Sequence, residues 1–347
     1  MKKFVLILIA LGILGFGYAI LSEEIGNENK ELTVLSWDDY IGPTTIHDFE
    51  QVTGAHITYE VIKSNEEALA RLKANPGVYD VVVISDYMVN SLRDAKSLLM
   101  LNKAKIPNVK NIGINFRNKY FDPTGSYSAA YAYGTTGFAV NTKEFPKSVI
   151  TWKELTDPKY KGKIGMIDDM RYVLGSILIE LGYSPNTTNP EEIAAAKALL
   201  RSVMPNVQKI TDGSPIDLMV NESMSIAYAW SGDILQMHTQ NADIDYQIPP
   251  TGSLIFQDSM VIPSDATHAD LAHQYINFIL DPKVSASITN EIQYGNPNTE
   301  ALPLIDESIR TSPIVFPSAS TLKKLEYIKD VGEDMKLYEK AWESIKQ

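Results

Sequence analysis

The sequence predicts an α/β protein built as two lobes, with a cleft between them where extended strands cross from one lobe to the other. Three observations carry this. The chain has 347 residues, more than one ordinary hydrophobic core holds, so two domains are expected. Strands and helices alternate from Leu32 to Ser85, the rhythm of a parallel sheet covered by helices. The stretch from Tyr127 to Asn141 is rich in Tyr, Ala, Thr and Gly without helical period, as suits extended segments passing between lobes, and the alternation resumes after it.

Taken in order, the chain opens on Lys2 and Lys3, followed from Phe4 to Leu21 by residues with no charged or amide side chain. Residues 1–19 therefore read as an export signal, with Gly17 and Ala19 forming a small-x-small cleavage site; the apolar stretch is also nearly long enough to serve as a retained anchor. Residues 20–31 are a polar linker containing Gly26. The first lobe starts with a strand at Leu32–Ser36, a helix at Thr44–Val52, a strand at His56–Ile62, a helix at Glu66–Ala74 and a strand at Val78–Ser85. The unbroken run Val81-Val82-Val83-Ile84 is the pattern of a strand buried on both faces.

The second lobe opens with a strand at Lys163–Ile167, then helices at Tyr172–Leu181 and Pro190–Met204, the latter entered through proline. An apolar strand at Ser259–Pro263 and a helix over Leu271–Leu280 suggest that the chain then returns to the first lobe. The expected division is residues 32–135 with 259–304 in lobe 1, and 136–258 with 305–347 in lobe 2.

Composition narrows the function classes. The formal charge of −12 becomes about −14 once Lys2 and Lys3 leave with the signal, which argues against nucleic acid and is compatible with a cationic ligand. A solvated acidic surface accounts for the same number. The absence of cysteine excludes disulfides, thiol nucleophiles and attachment through a lipid-modified cysteine. The five histidines, His47, His56, His238, His268 and His273, include no pair four apart on a helix, so no metal site is expected. No G-x-S-x-G elbow or G-x-x-x-x-G-K-[ST] phosphate loop is present, and no cofactor is expected. A hydrolase would have to use Asp168 with Asp169, or Asp39 with Asp258, as acid and base; the adjacent pair points different ways on most backbones.

The segment Leu35-Ser36-Trp37-Asp38-Asp39-Tyr40 resembles the opening strand and ligand loop of the periplasmic polyamine-binding proteins, the capture subunits of ATP-driven importers. The likeness continues in order through Ser64-Asn65-Glu66, Tyr79-Asp80-Val81, Ser85-Asp86-Tyr87, Trp152-Lys153-Glu154-Leu155, Pro158-Lys159-Tyr160-Lys161-Gly162, Gly182-Tyr183-Ser184, Ile276-Asn277-Phe278 and Pro297-Asn298. It implies the type II periplasmic-binding-protein fold, a spermidine or putrescine ligand held between lobes, membrane permease subunits of an ABC importer as partners, and binding without chemistry. A monomer in the periplasm or at the cell surface is the accompanying expectation. Another cationic solute is the alternative ligand.

A polyamine presents ammonium groups separated by methylenes, so its site needs carboxylates at the nitrogens and apolar walls along the carbons. Aromatic rings serve both needs, attracting an ammonium by about 0.5–2 kcal/mol and covering methylenes at about 0.8 kcal/mol each. The sequence places acids beside aromatics at five loop-like positions: Trp37 with Asp39 and Tyr40, Asp86 with Tyr87, Asp169 near Tyr172, Trp230 with Asp233, and Phe256 with Asp258. Each cluster alone has an ordinary reading as a helix cap or core filler. By resemblance, Trp37, Asp39, Tyr40, Ser85, Tyr87, Asp169, Trp230, Asp258 and Tyr294 fall at positions the family uses around its ligand. Asp258 is the foremost candidate, a charge between Phe256 and Met260 on an otherwise apolar strand. Tyr172 stands where spermidine binders typically have Glu, Phe256 stands for Trp, and Ile328 replaces Gln. Asp233, three residues after Trp230, matches the putrescine-preferring branch, so the site mixes the two.

Overall fold

The computed structural model describes residues 30–38, 40–146, 149–211 and 215–346. The stretch read as an export signal, most of the segment read as a linker, and Asp39 lie outside the described residues.

The first unit follows the expected alternation. Strand β1 (Glu31–Trp37) leads to helix α1 (Thr45–Thr53), β2 (His56–Ile62), α2 (Asn65–Ala74), β3 (Val81–Ser85) and α3 (Asp86–Asp94). Strand β1 starts inside the segment read as linker, because the backbone from Glu31 onward pairs in register with β2 from His56 onward. Strand β3 begins later than expected, at Val81. The carboxylate of Asp80 instead accepts from the amides of Thr33 and His268, tying the strand's entry to two neighbouring segments. All five residues of β3 are buried, as the unbroken apolar run requires. Helix α2 is set by Ser64, whose Oγ accepts from the Glu67 amide at 3.1 Å. The Glu67 carboxylate reaches back to the Lys63 amide at 2.9 Å.

The crossing predicted near Tyr127–Asn141 is one long strand, β4 (Ser128–Asn141). Its first half, Ser128–Thr135, pairs antiparallel with β9 (Ser253–Val261), and its second half, Thr136–Val140, with β7 (Ile226–Trp230). Beyond it lie β5 (Ile164–Ile167), α4 (Met170–Glu180), α5 (Pro190–Val203), β6 (Val207–Thr211), α6 (Ser231–Gln240) following β7, and β8 (Ile244–Gln247). After β9 come α7 (Ala269–Ile279), α8 (Pro282–Ile292), β10 (Leu325–Tyr327) and α9 (Met335–Lys346), with shorter helical turns between.

The strand order is β2-β1-β3-β9-β4-β7-β5-β6. Parallel blocks β2-β1-β3 and β7-β5-β6 flank the antiparallel pair β9-β4, which belongs to both halves. Strand β9 is longer than the Ser259–Pro263 strand expected. It runs unbroken through Asp258, and every one of its residues is buried. The carboxyl ends of β1, β3, β5 and β7 converge where β4 and β9 cross, the place where an open α/β sheet offers a ligand crevice.

Candidate ligand-binding cleft

Asp258 sits in the middle of β9, opposite Ser85 of β3 and Ala132 of β4, and is 4% exposed. Its carboxylate is held by two hydroxyls. Ser85 Oγ donates to Oδ1 at 2.7 Å and Tyr40 Oη donates to Oδ2 at 2.7 Å. The serine is itself fixed: Asn65 Nδ2 donates to its Oγ at 3.2 Å, and its amide donates to Asn65 Oδ1 at 3.0 Å. Tyr40 is steadied by the hydroxyl of Tyr131, which donates to the Tyr40 carbonyl. Burial pushes the Asp258 carboxyl up to about 6, and the Ser85 and Tyr40 hydrogen bonds pull against that rise. No cation of the described protein contributes to its charge balance.

An aromatic chain runs along the same wall. Tyr40 meets Tyr131 and Tyr294, each at 5.4 Å between ring centroids. Phe256 lies 6.0 Å from Tyr294 and 5.2 Å from Trp230, and Trp230 lies 4.6 Å from Tyr172. Two glycines permit this packing. A Cβ at Gly232 would come within 2.3 Å of the Tyr294 ring, and one at Gly134 within 2.6 Å of Phe256. Tyr294 Oη donates to Asp233 Oδ1 at 2.8 Å, which brings the last acid of the predicted set to the chain.

From the facing side, Asp169 caps α4, accepting from the amides of Arg171 at 3.0 Å and Tyr172 at 3.1 Å. Burial pushes its carboxyl up to about 7, with the Glu66 charge adding to the rise and the two amides and Arg171 opposing it. Glu66, at the start of α2, accepts from Tyr87 Oη at 3.0 Å. Carboxylates from α2 and from the head of α4 thus sense one another electrostatically. Tyr172 is 2% exposed and its hydroxyl has no hydrogen-bond partner.

Most of the sequence-predicted residues are therefore gathered: Tyr40, Ser85, Tyr87, Asp169, Tyr172, Trp230, Asp233, Phe256, Asp258 and Tyr294. Trp37, at the carboxyl end of β1, is half-buried, with a buried indole N–H that has no partner. Asp39 lies outside the described residues. The expectation of loop-like positions is corrected: Phe256 and Asp258 are interior to β9, whereas Tyr87, Tyr172 and Asp233 lie in first helical turns. Long-range strand pairing overrides the local cues there. Ile328 is fully buried and points its Cδ1 toward Gly175 of α4, as an apolar plug.

Sequence reasoning did not select Asn65, Glu66 or Tyr131 for the site, and it noted Asp86 only as the acid beside Tyr87. Asn65 and Glu66 lie in a segment that carried the resemblance, so a signal existed. Tyr131 had none, since its role depends on strand pairing 91 residues away from its hydrogen-bond partner.

Residues 44–317 match the family model described as bacterial extracellular solute-binding protein. The spermidine/putrescine-binding periplasmic protein of Escherichia coli is 34% identical over 348 residues, covering 100% of this chain and 99% of that one. The putrescine/cadaverine-binding protein of Pseudomonas aeruginosa is 31% identical, again with 100% and 99% covered. Among solved structures, the spermidine/putrescine ABC transporter substrate-binding protein PotD of Streptococcus pneumoniae superposes with a TM-score of 0.79 at 30% identity, covering 92% of this chain and 99% of that one. The two-lobed α/β architecture, the cleft at the strand ends and these full-length matches together establish that this chain belongs to the bacterial extracellular solute-binding proteins.

Proposed function

We propose that the chain captures an extended polyamine, spermidine or putrescine, in the cleft and hands it to the membrane permease subunits of an ABC importer without chemical change. The observation that carries this reading is Asp258. A carboxylate buried in mid-strand, oriented by two hydroxyls and lacking a protein cation, is costly unless a cationic ligand completes it. The aromatic chain from Tyr131 to Tyr172 supplies what methylenes and ammonium groups need beside it. The names of the full-length relatives support the same ligand class and an importer as partner.

In this reading Trp37, Asp39, Tyr40, Ser85, Tyr87, Asp169, Tyr172, Trp230, Asp233, Phe256, Asp258 and Tyr294 surround the ligand. The lobes comprise residues 32–135 with 259–304 and residues 136–258 with 305–347. The protein acts outside the cytoplasm as a monomer, after export directed by residues 1–19. Amine binding selects the form in which the Asp258 and Asp169 walls face each other, and that form is the one the permease recognises.

Calorimetric titration of the chain from Ile20 onward with putrescine, cadaverine, spermidine and spermine tests the proposal. Micromolar or tighter binding of at least one amine, with the amine recovered unchanged, is expected. No heat with any of them would refute it.

A further inference from the structure

The segment that leaves β10, Tyr327-Ile328-Lys329, is gripped from two sides. Toward α4, Asn186 treats it as a neighbouring strand would: its Nδ2 donates to the Tyr327 carbonyl at 2.8 Å, and its Oδ1 accepts from the Lys329 amide at 2.6 Å. Arg171, in the first turn of α4 and 1% exposed, donates from Nη2 to the Lys329 carbonyl at 3.1 Å, and its guanidinium lies 4.5 Å from the centre of the Tyr338 ring of α9. The Ile328 carbonyl turns the other way and accepts from Tyr120 Oη. Tyr120 belongs to the α3 side. Asp86 Oδ1, at the head of α3, lies 3.3 Å from its hydroxyl, and Arg93 of α3 donates to the carbonyl of the next residue, Phe121.

The side chains repeat the grip. Lys119 Nζ lies 5.6 Å from the centre of the Tyr327 ring, Lys329 Nζ lies 5.6 Å from that of Tyr120, and the two rings are 6.0 Å apart. Each side offers one ring and one cation to the other, with both ammonium groups inside the reach of about 6 Å at which a ring face attracts a cation. Strands β4 and β9 are continuous through both halves of the sheet and join them in any arrangement. Contacts such as the Tyr120 hydrogen bond and the two lysine–tyrosine pairs are noncovalent, so they are made in one arrangement and lost in another.

Resting on the reading of the chain as a two-lobed amine binder, we propose that Lys119 and Tyr120, paired with Tyr327, Ile328 and Lys329, form a clasp that holds the lobes in their closed arrangement. The clasp acts on the populations of open and closed forms, not on ligand contacts. An apparent Kd is the intrinsic value divided by the fraction of protein in the competent form, so a weakened clasp costs every amine the same factor. A residue that touches the ligand instead changes the ratio between amines of different length.

The chain has no cysteine, so a dye pair for single-molecule energy transfer enters cleanly at Val52→Cys and Ala194→Cys, exposed positions on α1 and α5. In that background Tyr120→Phe and a Lys119→Gln, Lys329→Gln double variant are compared with the parent for dye separation in the empty protein and for Kd of putrescine and spermidine, with thermal melts to check folding. Tyr120→Phe keeps the ring and removes the hydroxyl. It is expected to shift the empty protein toward longer separations and to weaken both amines by one common factor, about threefold to tenfold. The double variant removes only the cations, and the same pattern is expected at about twofold to fivefold. It changes one half-buried and one exposed side chain, so it decides the matter should Tyr120→Phe unfold. Dye separations that do not move in the folded variants overturn the clasp, because these contacts then persist through opening as part of the hinge. A changed spermidine-to-putrescine ratio overturns it as well, because the residues then touch the ligand. If the parent binds no amine, the polyamine reading falls by itself, and the dye separations still decide the clasp.

Discussion

The two walls of the cleft are built to different standards. On the Asp258 wall each polar atom is locked by another: Asn65 fixes Ser85, Tyr131 fixes Tyr40, and both hydroxyls fix the carboxylate. On the Asp169 wall, among the described residues, the carboxylate accepts only from the amides of its own helix, and the neighbouring Tyr172 hydroxyl has no partner. The difference teaches which half is preorganised. In the proposed reading, a ligand meets a finished acid on the first wall, whereas on the second it supplies the missing partner. Binding energy on the first wall therefore comes mainly from direct contact, and on the second partly from completing what the protein leaves open.

The sharpest way to break this comparison is Asp258→Ala. Removing a buried carboxylate leaves the bound ammonium uncompensated at about 3–5 kcal/mol, so affinity for the preferred amine should fall by about 10²–10³-fold or more. The empty protein loses no ion pair, and its melting temperature should move far less than binding does. Calorimetry beside thermal unfolding measures both. If Asp258→Ala binds amines as well as wild type does, the preorganised wall is not where the ligand docks.

The next largest effect is expected from Asp169→Asn, which keeps the helix cap, since asparagine caps as well as aspartate, but removes the charge. A loss of about tenfold is expected, smaller than at Asp258 because Arg171 already offsets part of the Asp169 charge. The pH profile separates the walls further. Both carboxyls are raised from ordinary values near 3.8, Asp258 to about 6 and Asp169 to about 7. Such groups stabilise the empty fold most below their unfolded pKa, and that contribution is lost as pH rises through 6 and then 7. Amines require the ionised forms and stay protonated throughout, so affinity should climb over the same window. From pH 5 to pH 8 a gain of at least about tenfold is expected. In Asp169→Asn the step near 7 should vanish and the step near 6 remain. A profile unchanged by the substitution would mean that Asp169 does not ionise when ligand binds.

Much of this was legible in the sequence, for identifiable reasons. The strand Val81–Ser85 and the alternation around it follow from periodicity, and the crossing at β4 from a composition rich in small and aromatic residues. Asp258 stands out as an acid in an apolar run. The failures share one cause. The full extent of β9 back to Ser253 is set by pairing with β4 and β10, partners distant in the chain, whereas the local reading began the strand at Ser259. Asp86 reads locally as an acid beside Tyr87 after a strand; only the fold sets the Gln257 amide and Tyr120 around it. Local chemistry nominates acids and rings, and topology decides which of them share a wall.

The finest distinction between the walls concerns tuning. Tyr40→Phe leaves the ring stacked against Tyr131 and Tyr294 but withdraws one of the two hydroxyls that hold Asp258. That hydrogen bond favours the charged carboxylate, so its loss raises the Asp258 pKa beyond about 6. At pH 8 the acid still ionises for ligand, and the affinity loss should be small, about threefold to fivefold for one hydrogen bond. Nearer pH 6 the same substitution should cost more, because ionisation must now be driven against a higher pKa. The signature is thus a shift of the pH midpoint toward higher pH with little change in the plateau, read by titration at several pH values. A uniform loss at every pH would mean that Tyr40 acts by touching the ligand rather than by setting the charge of Asp258, and the wall would be less preorganised than its hydrogen bonds imply.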